Sequence, residues 1–141
     1  MSINIDFLYG GDNMVAWADY KSEAKSRGAL ALELYAAIST PVKEPQDVKA
    51  ALSDHLAYQA NLERSGALAF AGPMSDETGV HMQGMGLIIY RADSLEAARS
   101  LAENDPMHQS GARSFNLRRW MINEGSLTLS VGLSTKQTEL S

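Results

Sequence analysis

Three histidines lie far apart in the chain, at His55, His81 and His108. Asp105 stands directly before Pro106, in the run Asn104-Asp105-Pro106. A residue before proline is pushed out of helical geometry, so Asp105 should be extended, its carboxylate projecting from the end of a helix. A carboxylate that holds an imidazole in one tautomer makes a base suited to neutral pH, with no metal and no protein nucleophile. His55 and Asp105 are the pair the sequence offers for that work. Spacing alone favours a plainer alternative, a half-buried histidine making one hydrogen bond and an aspartate receiving N–H groups at a turn. Other chemistries find less. The chain has no cysteine, which removes thiolate nucleophiles, disulfides and Cys-based metal sites. The histidines show no HxxxH or HExxH spacing, so no metal site is expected. Gly84-x-Gly86 lacks the third glycine of a dinucleotide fingerprint, and GxSxG and Walker loops are absent. No cofactor is expected.

The elements that would position these groups are readable from periodicity. His55 falls in a helix expected from about Pro45 to Ser65, with Leu52, Leu56, Gln59 and Leu62 at helical steps. Proline suits the first turn, and Gly66 suits the left-handed stop. A short apolar strand, Ala67 to Ala71, should follow and break at Gly72-Pro73, since proline has no N–H for a ladder. Upstream, Leu30, Leu32, Leu34, Ala36 and Ile38 alternate with their neighbours as a strand with one buried face. Before it, Asp12 or Asn13 would cap a helix ending near Arg27, whose large side chains are Trp17 and Tyr20. Downstream come a strand over Met85 to Tyr90 and a helix capped at Asp93 or Ser94. A fourth strand over Ser114 to Ile122 and a hairpin turn at Asn123-Glu124-Gly125 lead to a fifth strand over residues 127–133.

The ordering is α+β: a ferredoxin-like βαββαβ core with an added N-terminal helix and an added C-terminal strand. Residues 1–28 form the helical extension, 29–133 the domain and 134–141 a frayed tail. Leu87 and Ile89 alternate with Ile88 and Tyr90, so both faces of the sheet are apolar. Helices cover only one face, and a contiguous apolar face marks an interface. A homodimer stacked sheet on sheet is therefore expected, each chain enclosing a cavity. The chain is 141 residues long with a net charge of -5 and dispersed basic residues, which argues against nucleic acid or an anionic membrane as partner. No window approaches the roughly 20 apolar residues of a membrane span. The opening residues lack the basic and apolar runs of a signal peptide, so a soluble, cytoplasmic protein with a small-molecule ligand is expected.

Three stretches together resemble the YCII-related (YciI-like) family: HLAYQANLERSGALAFAGPM, GMGLIIYRADSLEAARSLAENDPM and NLRRW. They hold the helix histidine, the GxLxxAGP run, the Gly-rich strand, the SLEAA helix, the Asp-Pro corner and a strand ending in an aromatic. The resemblance implies a dimeric α/β barrel and a His–Asp pair at His55 and Asp105. It also implies relatives among lactone isomerases and monooxygenases, and a branch that dehydrochlorinates a chlorinated hydroxyhydroquinone. The chain departs from the family pattern in its extension to about Gly28, in the strand after Trp120, and in lacking a matching extended run after Gly72-Pro73. Two function classes stay open. One is a cofactor-free, lyase- or isomerase-like enzyme acting on a small cyclic substrate by elimination, dehydrochlorination or isomerisation. In it Gly72, Pro73 and Trp120 shape the pocket, and Trp17 and Tyr20 close it. The other is a non-catalytic ligand-binding or accessory protein of a catabolic or biosynthetic pathway. A cofactor-free monooxygenase is a weaker third, by fold analogy alone.

Overall fold

The computed structural model describes residues 14–141, and these divide into two compact units. One comprises residues 33–120. The other joins residues 14–32 to residues 121–141.

The larger unit is built on a four-stranded sheet in the order β2-β3-β1-β4. Its strands are β1 (Leu32–Pro41), β2 (Leu68–Ser75), β3 (Met82–Tyr90) and β4 (Arg113–Ile122). Helix α2 (Pro45–Ser65) links β1 to β2; α3 (Leu95–Glu103) and the single turn α4 (Pro106–Gln109) link β3 to β4. Both β1 and β2 run antiparallel to β3. This is the ferredoxin-like βαββαβ order, with an antiparallel β2–β3 hairpin and β1 between β3 and β4.

Register assigns the faces. Tyr35 pairs with Tyr90, Ala37 with Ile88 and Ser39 with Gly86. The first two pairs join Leu62 of α2 and Ala98 and Ala102 of α3 in one core, so both helices pack on that face. Tyr58 ties the helices together by donating its hydroxyl to the Leu101 carbonyl at 2.7 Å. The buried residues of α2 are Ala51 and Leu62, whereas Leu52 and Leu56 of the expected apolar stripe are 42% and 54% exposed. The core-facing stripe therefore sits one position earlier than periodicity suggested. Likewise β1 buries Leu34, but its regularly buried face is Tyr35, Ala37 and Ser39, with Ala36 and Ile38 only half-buried.

Gly72-Pro73 does not end β2. The strand passes through both, with Pro73 paired to Gly86, and continues to Ser75. The ladder tolerates the proline because β2 is the end strand of its sheet, where a missing N–H can face away from the partner. Irregular register brackets the site, between Leu68 and Phe70 and between Pro73 and Ser75. Gly66 caps α2 at φ 86, as its left-handed tolerance requires. Ser94 caps α3, its hydroxyl accepting from the Ala97 N–H at 3.0 Å.

In the smaller unit α1 (Trp17–Ser26) begins after Ala16; the expected caps Asp12 and Asn13 lie outside the described residues. The Tyr20 hydroxyl accepts from Arg27 and from Asn123, each at 3.4 Å. The C-terminal strand is shorter than expected, β5 (Leu129–Val131), and it does not form a hairpin with β4. It pairs with β6 (Thr138–Leu140), which occupies part of the expected frayed tail. Thr128 and Ser141 exchange backbone hydrogen bonds at 2.9 and 3.0 Å, so the ladder closes at the chain's last residue.

Candidate active site

Pro106 opens α4, and Asp105 is its N-cap at φ -63, ψ 125, the extended geometry expected before proline. The carboxylate is fully buried. One oxygen, Oδ1, accepts from the Met107 N–H at 2.9 Å, which satisfies a donor the helix leaves open. His55 reaches it from α2: Nδ1 is 2.8 Å from both Oδ1 and Oδ2. An ionised carboxylate only accepts, so Nδ1 carries the ring proton and Nε2 keeps its lone pair. The His55 side chain is 15% exposed and the Asp105 side chain 0%.

The pair stands at the wall of a cavity of about 860 Å³ between α2 and the β2–β3 edge of the sheet. Along α2 the lining residues are Pro45, Val48, Lys49, Leu52, His55, Leu56 and Gln59, one continuous helical stripe. Of the stripe read from the sequence, Leu52, Leu56 and Gln59 thus face the cavity and Leu62 the core, with His55 on the line between the two. Gly72 and Pro73 line the opposite side, and Asp105 lies behind His55 without lining the cavity. Trp120 is not among the lining residues, and its side chain is 41% exposed on β4. Trp17 and Tyr20 belong to α1 in the other unit. His81 sits in the β2–β3 loop, 3.4 Å from Asp76 and largely exposed. Hydrogen bonds from the Thr78 hydroxyl, and from neighbouring backbone, hold the Asp76 carboxyl below its ordinary range. Among the described residues no three metal-binding side chains come together.

A second polar arrangement beside the pair escaped sequence reading. His108 Nδ1 is 2.7 Å from the Ala102 carbonyl, so Nδ1 donates and Nε2 accepts. The donor to Nε2 is Ser39, at 2.8 Å. Ser39 Oγ in turn accepts from Arg113 Nε at 2.8 Å, and Arg113 Nη2 donates to the carbonyls of Ser39, at 2.8 Å, and Gly84. The chain thus runs Arg113, Ser39, His108, Ala102. It requires a neutral His108, in keeping with burial, which draws the His108 pKa down; Arg113 and His55 nearby add to that. Burial also lowers the Arg113 pKa, against the charge of Asp105. Tyr58 and Tyr90 are both raised, first by burial and then by the charge of Asp105. The Tyr90 hydroxyl is buried without a hydrogen-bond partner. Phase was the available signal: Ser39 continues the inward series Tyr35, Ala37, and Arg113 precedes Phe115 and Leu117, which pack on the core. A polar residue in step with a buried stripe is a candidate on that ground alone.

The ferredoxin-like sheet with both helices packed on one face makes this a small α+β protein. The chain belongs to the YCII-related family: the YCII-related domain matches residues 33–121, well over half its length. It is 30% identical over 71 residues to the uncharacterised protein YjpA of Bacillus subtilis, covering 50% of this chain and 76% of that one. Among solved structures it is similar to the 5-chloro-2-hydroxyhydroquinone dehydrochlorinase TftG of Burkholderia phenoliruptrix, in complex with 2,5-dihydroxybenzoquinone. The TM-score is 0.47 at 23% identity, covering 62% of this chain and 92% of that one. No helix among the described residues is long and apolar enough to cross a membrane.

Proposed function

We propose that the protein is a cofactor-free acid–base enzyme acting on a small cyclic, enolisable organic molecule. The observation that carries this reading is His55 Nδ1 at 2.8 Å from the buried Asp105, on a histidine that lines the cavity. With Nδ1–H held by the carboxylate, Nε2 takes a proton from carbon next to a carbonyl. Asp105 stabilises the imidazolium so formed, and the same histidine returns the proton. Return to a different carbon gives isomerisation; departure of a leaving group such as chloride from the enolate gives elimination. Gly72 and Pro73 shape the wall opposite.

The reading places the working protein in the cytoplasm, which suits a cysteine-free chain. It also makes it a homodimer through the sheet face opposite the helices. Phe70 of that face, paired with Ile89, is 46% exposed.

Proton abstraction is testable without knowing the net reaction. In deuterium oxide the protein should exchange C–H for C–D in at least one member of a panel of cyclic ketones, lactones and chlorinated hydroquinones, followed by NMR. His55→Ala should lose the exchange while keeping its thermal transition. Exchange unchanged in His55→Ala would remove this role and leave the non-catalytic reading, in which the same cavity holds a ligand for an accessory protein.

A further inference from the structure

We infer that the cavity takes a small ring-bearing carboxylate, and that Arg113 is the residue that holds the carboxylate group. This deepens the acid–base reading by naming the substrate class, but it stands on a different observation, the charge of the lining. The protein carries a net charge of -5, yet the charged residues lining the cavity are Lys43, Lys49 and Arg113, with no aspartate or glutamate beside them. Asp105 acts on Arg113 through space, but it lies behind His55 and its hydrogen bonds go to His55 and the Met107 N–H. A partly buried guanidinium without a bonded carboxylate is a costly arrangement, because burial penalises the cation and only the through-space charge of Asp105 offsets that.

The donor inventory shows how an anion would fit. A guanidinium has five N–H groups. The Nε hydrogen goes to Ser39 Oγ, and the two on Nη2 go to the carbonyls of Ser39 and Gly84. The two on Nη1 have no acceptor among the described residues. The protein thus fixes the fork through three donors, and the Ser39–His108 chain fixes Ser39. Two diverging donors remain on Nη1 to meet the oxygens of a ligand. Lys43 donates to the Ser110 carbonyl at 3.0 Å, a neutral acceptor that leaves its charge uncompensated. Most of the remaining wall is apolar, including Val48, Leu52, Met85, Leu87, Ile88 and Met107. Such a wall suits a hydrocarbon ring better than a phosphate or a sugar. An anionic head on Arg113, a ring on the apolar wall and His55 Nε2 at the ring carbon fit the lining together.

The test compares 2,5-dihydroxybenzoate with its methyl ester, which differ in one charge at nearly equal shape. Binding is read by titration calorimetry and by amide shifts on the full chain. The carboxylate should bind about tenfold or more tightly than the ester, as charged hydrogen bonds do. That preference should collapse in Arg113→Gln and survive in His55→Ala. Because Arg113 also bridges β1 to the backbone at Gly84, Lys43→Gln/Lys49→Gln is the companion variant, and it should weaken the preference with the fold intact. Equal binding of acid and ester, or no saturable binding of either, overturns the inference. So does a preference unchanged in both variants. A loss of deuterium exchange in Arg113→Gln with acid and ester bound equally also overturns it, since Arg113 would then face an enolate oxygen rather than a carboxylate. Loss of the acid–base reading alone would appear as charge-selective binding without exchange.

Discussion

Asp105 serves two donors at once, a helix N–H and an imidazole N–H, and substitutions should separate them. Asn at 105 keeps an oxygen for the Met107 N–H but no longer fixes the His55 tautomer. Asp105→Asn is therefore expected to retain most of its stability while turnover or isotope exchange falls about a hundredfold or more. Asp105→Ala should lose turnover and also about 1–2 kcal/mol of stability through the missing cap, measured by chemical denaturation. His108 makes a prediction about pH. Its pKa is lower in the folded protein than its ordinary value near 6.5, so the unfolded chain binds the proton more readily. The stability this contributes is complete above about pH 6.5 and is lost as pH falls from there through the folded value. Denaturation midpoints between pH 7.5 and 5 should fall, and His108→Gln should flatten that slope. A slope unchanged in the variant would assign it to other groups. From spacing alone the His55–Asp105 pair was legible only as two candidates, and it was the family resemblance that joined them. The pre-proline rule foresaw the extended backbone of Asp105, but their meeting depends on the packing of α2 against α4, which spacing does not encode. Arg113 and Ser39 passed unnoticed because sequence reading looks for clusters, and these lie 74 residues apart in the chain.

At the scale of elements, the helix carrying His55 was the best specified, since proline and glycine mark both of its ends. Its faces were misread because it has two apolar stripes, one for the core and one for the cavity, and hydrophobicity does not distinguish a packed wall from an open one. Proline misled at β2 for a related reason: it bars interior ladders but not end strands, and strand order is a tertiary fact. The hairpin expected between β4 and β5 does not form: the alternation over residues 127–133 is equally compatible with β4 and with β6, and β5 pairs with β6. Gly84 shows an element-scale constraint of another kind. Its φ is 91, and a Cβ there would come within 3.1 Å of the Pro41 ring, while its carbonyl receives Arg113. Gly84→Ala is expected to cost about 1–2 kcal/mol from the backbone alone. It should also disturb ligand affinity, because the carbonyl that orients the guanidinium moves with the backbone. Gly86, whose added Cβ would meet only ordinary contacts near 3.7 Å, should tolerate alanine far better in the same melting experiment.

At the scale of the molecule, the site is contained in one of the two units. Every residue lining the cavity falls between 33 and 120. A fragment spanning residues 32–122 is accordingly expected to fold with a cooperative transition and to keep the His55–Asp105 hydrogen bond, seen as a downfield Nδ1 proton. An unfolded fragment would show that the flanking residues are needed for the fold. Pro73 carries a consequence for the crowded cell. A strand at the end of a sheet offers free backbone groups that an unfolded or newly made chain can extend into a fibre. In β2 the proline interrupts that row, and the irregular register around it bends the rest away from a flat template. The same ring lines the cavity. Recutting the ligand pocket by Pro73→Val would therefore remove a guard against amyloid-like growth, and light scattering during prolonged storage, rather than catalysis, is where the change should first be felt.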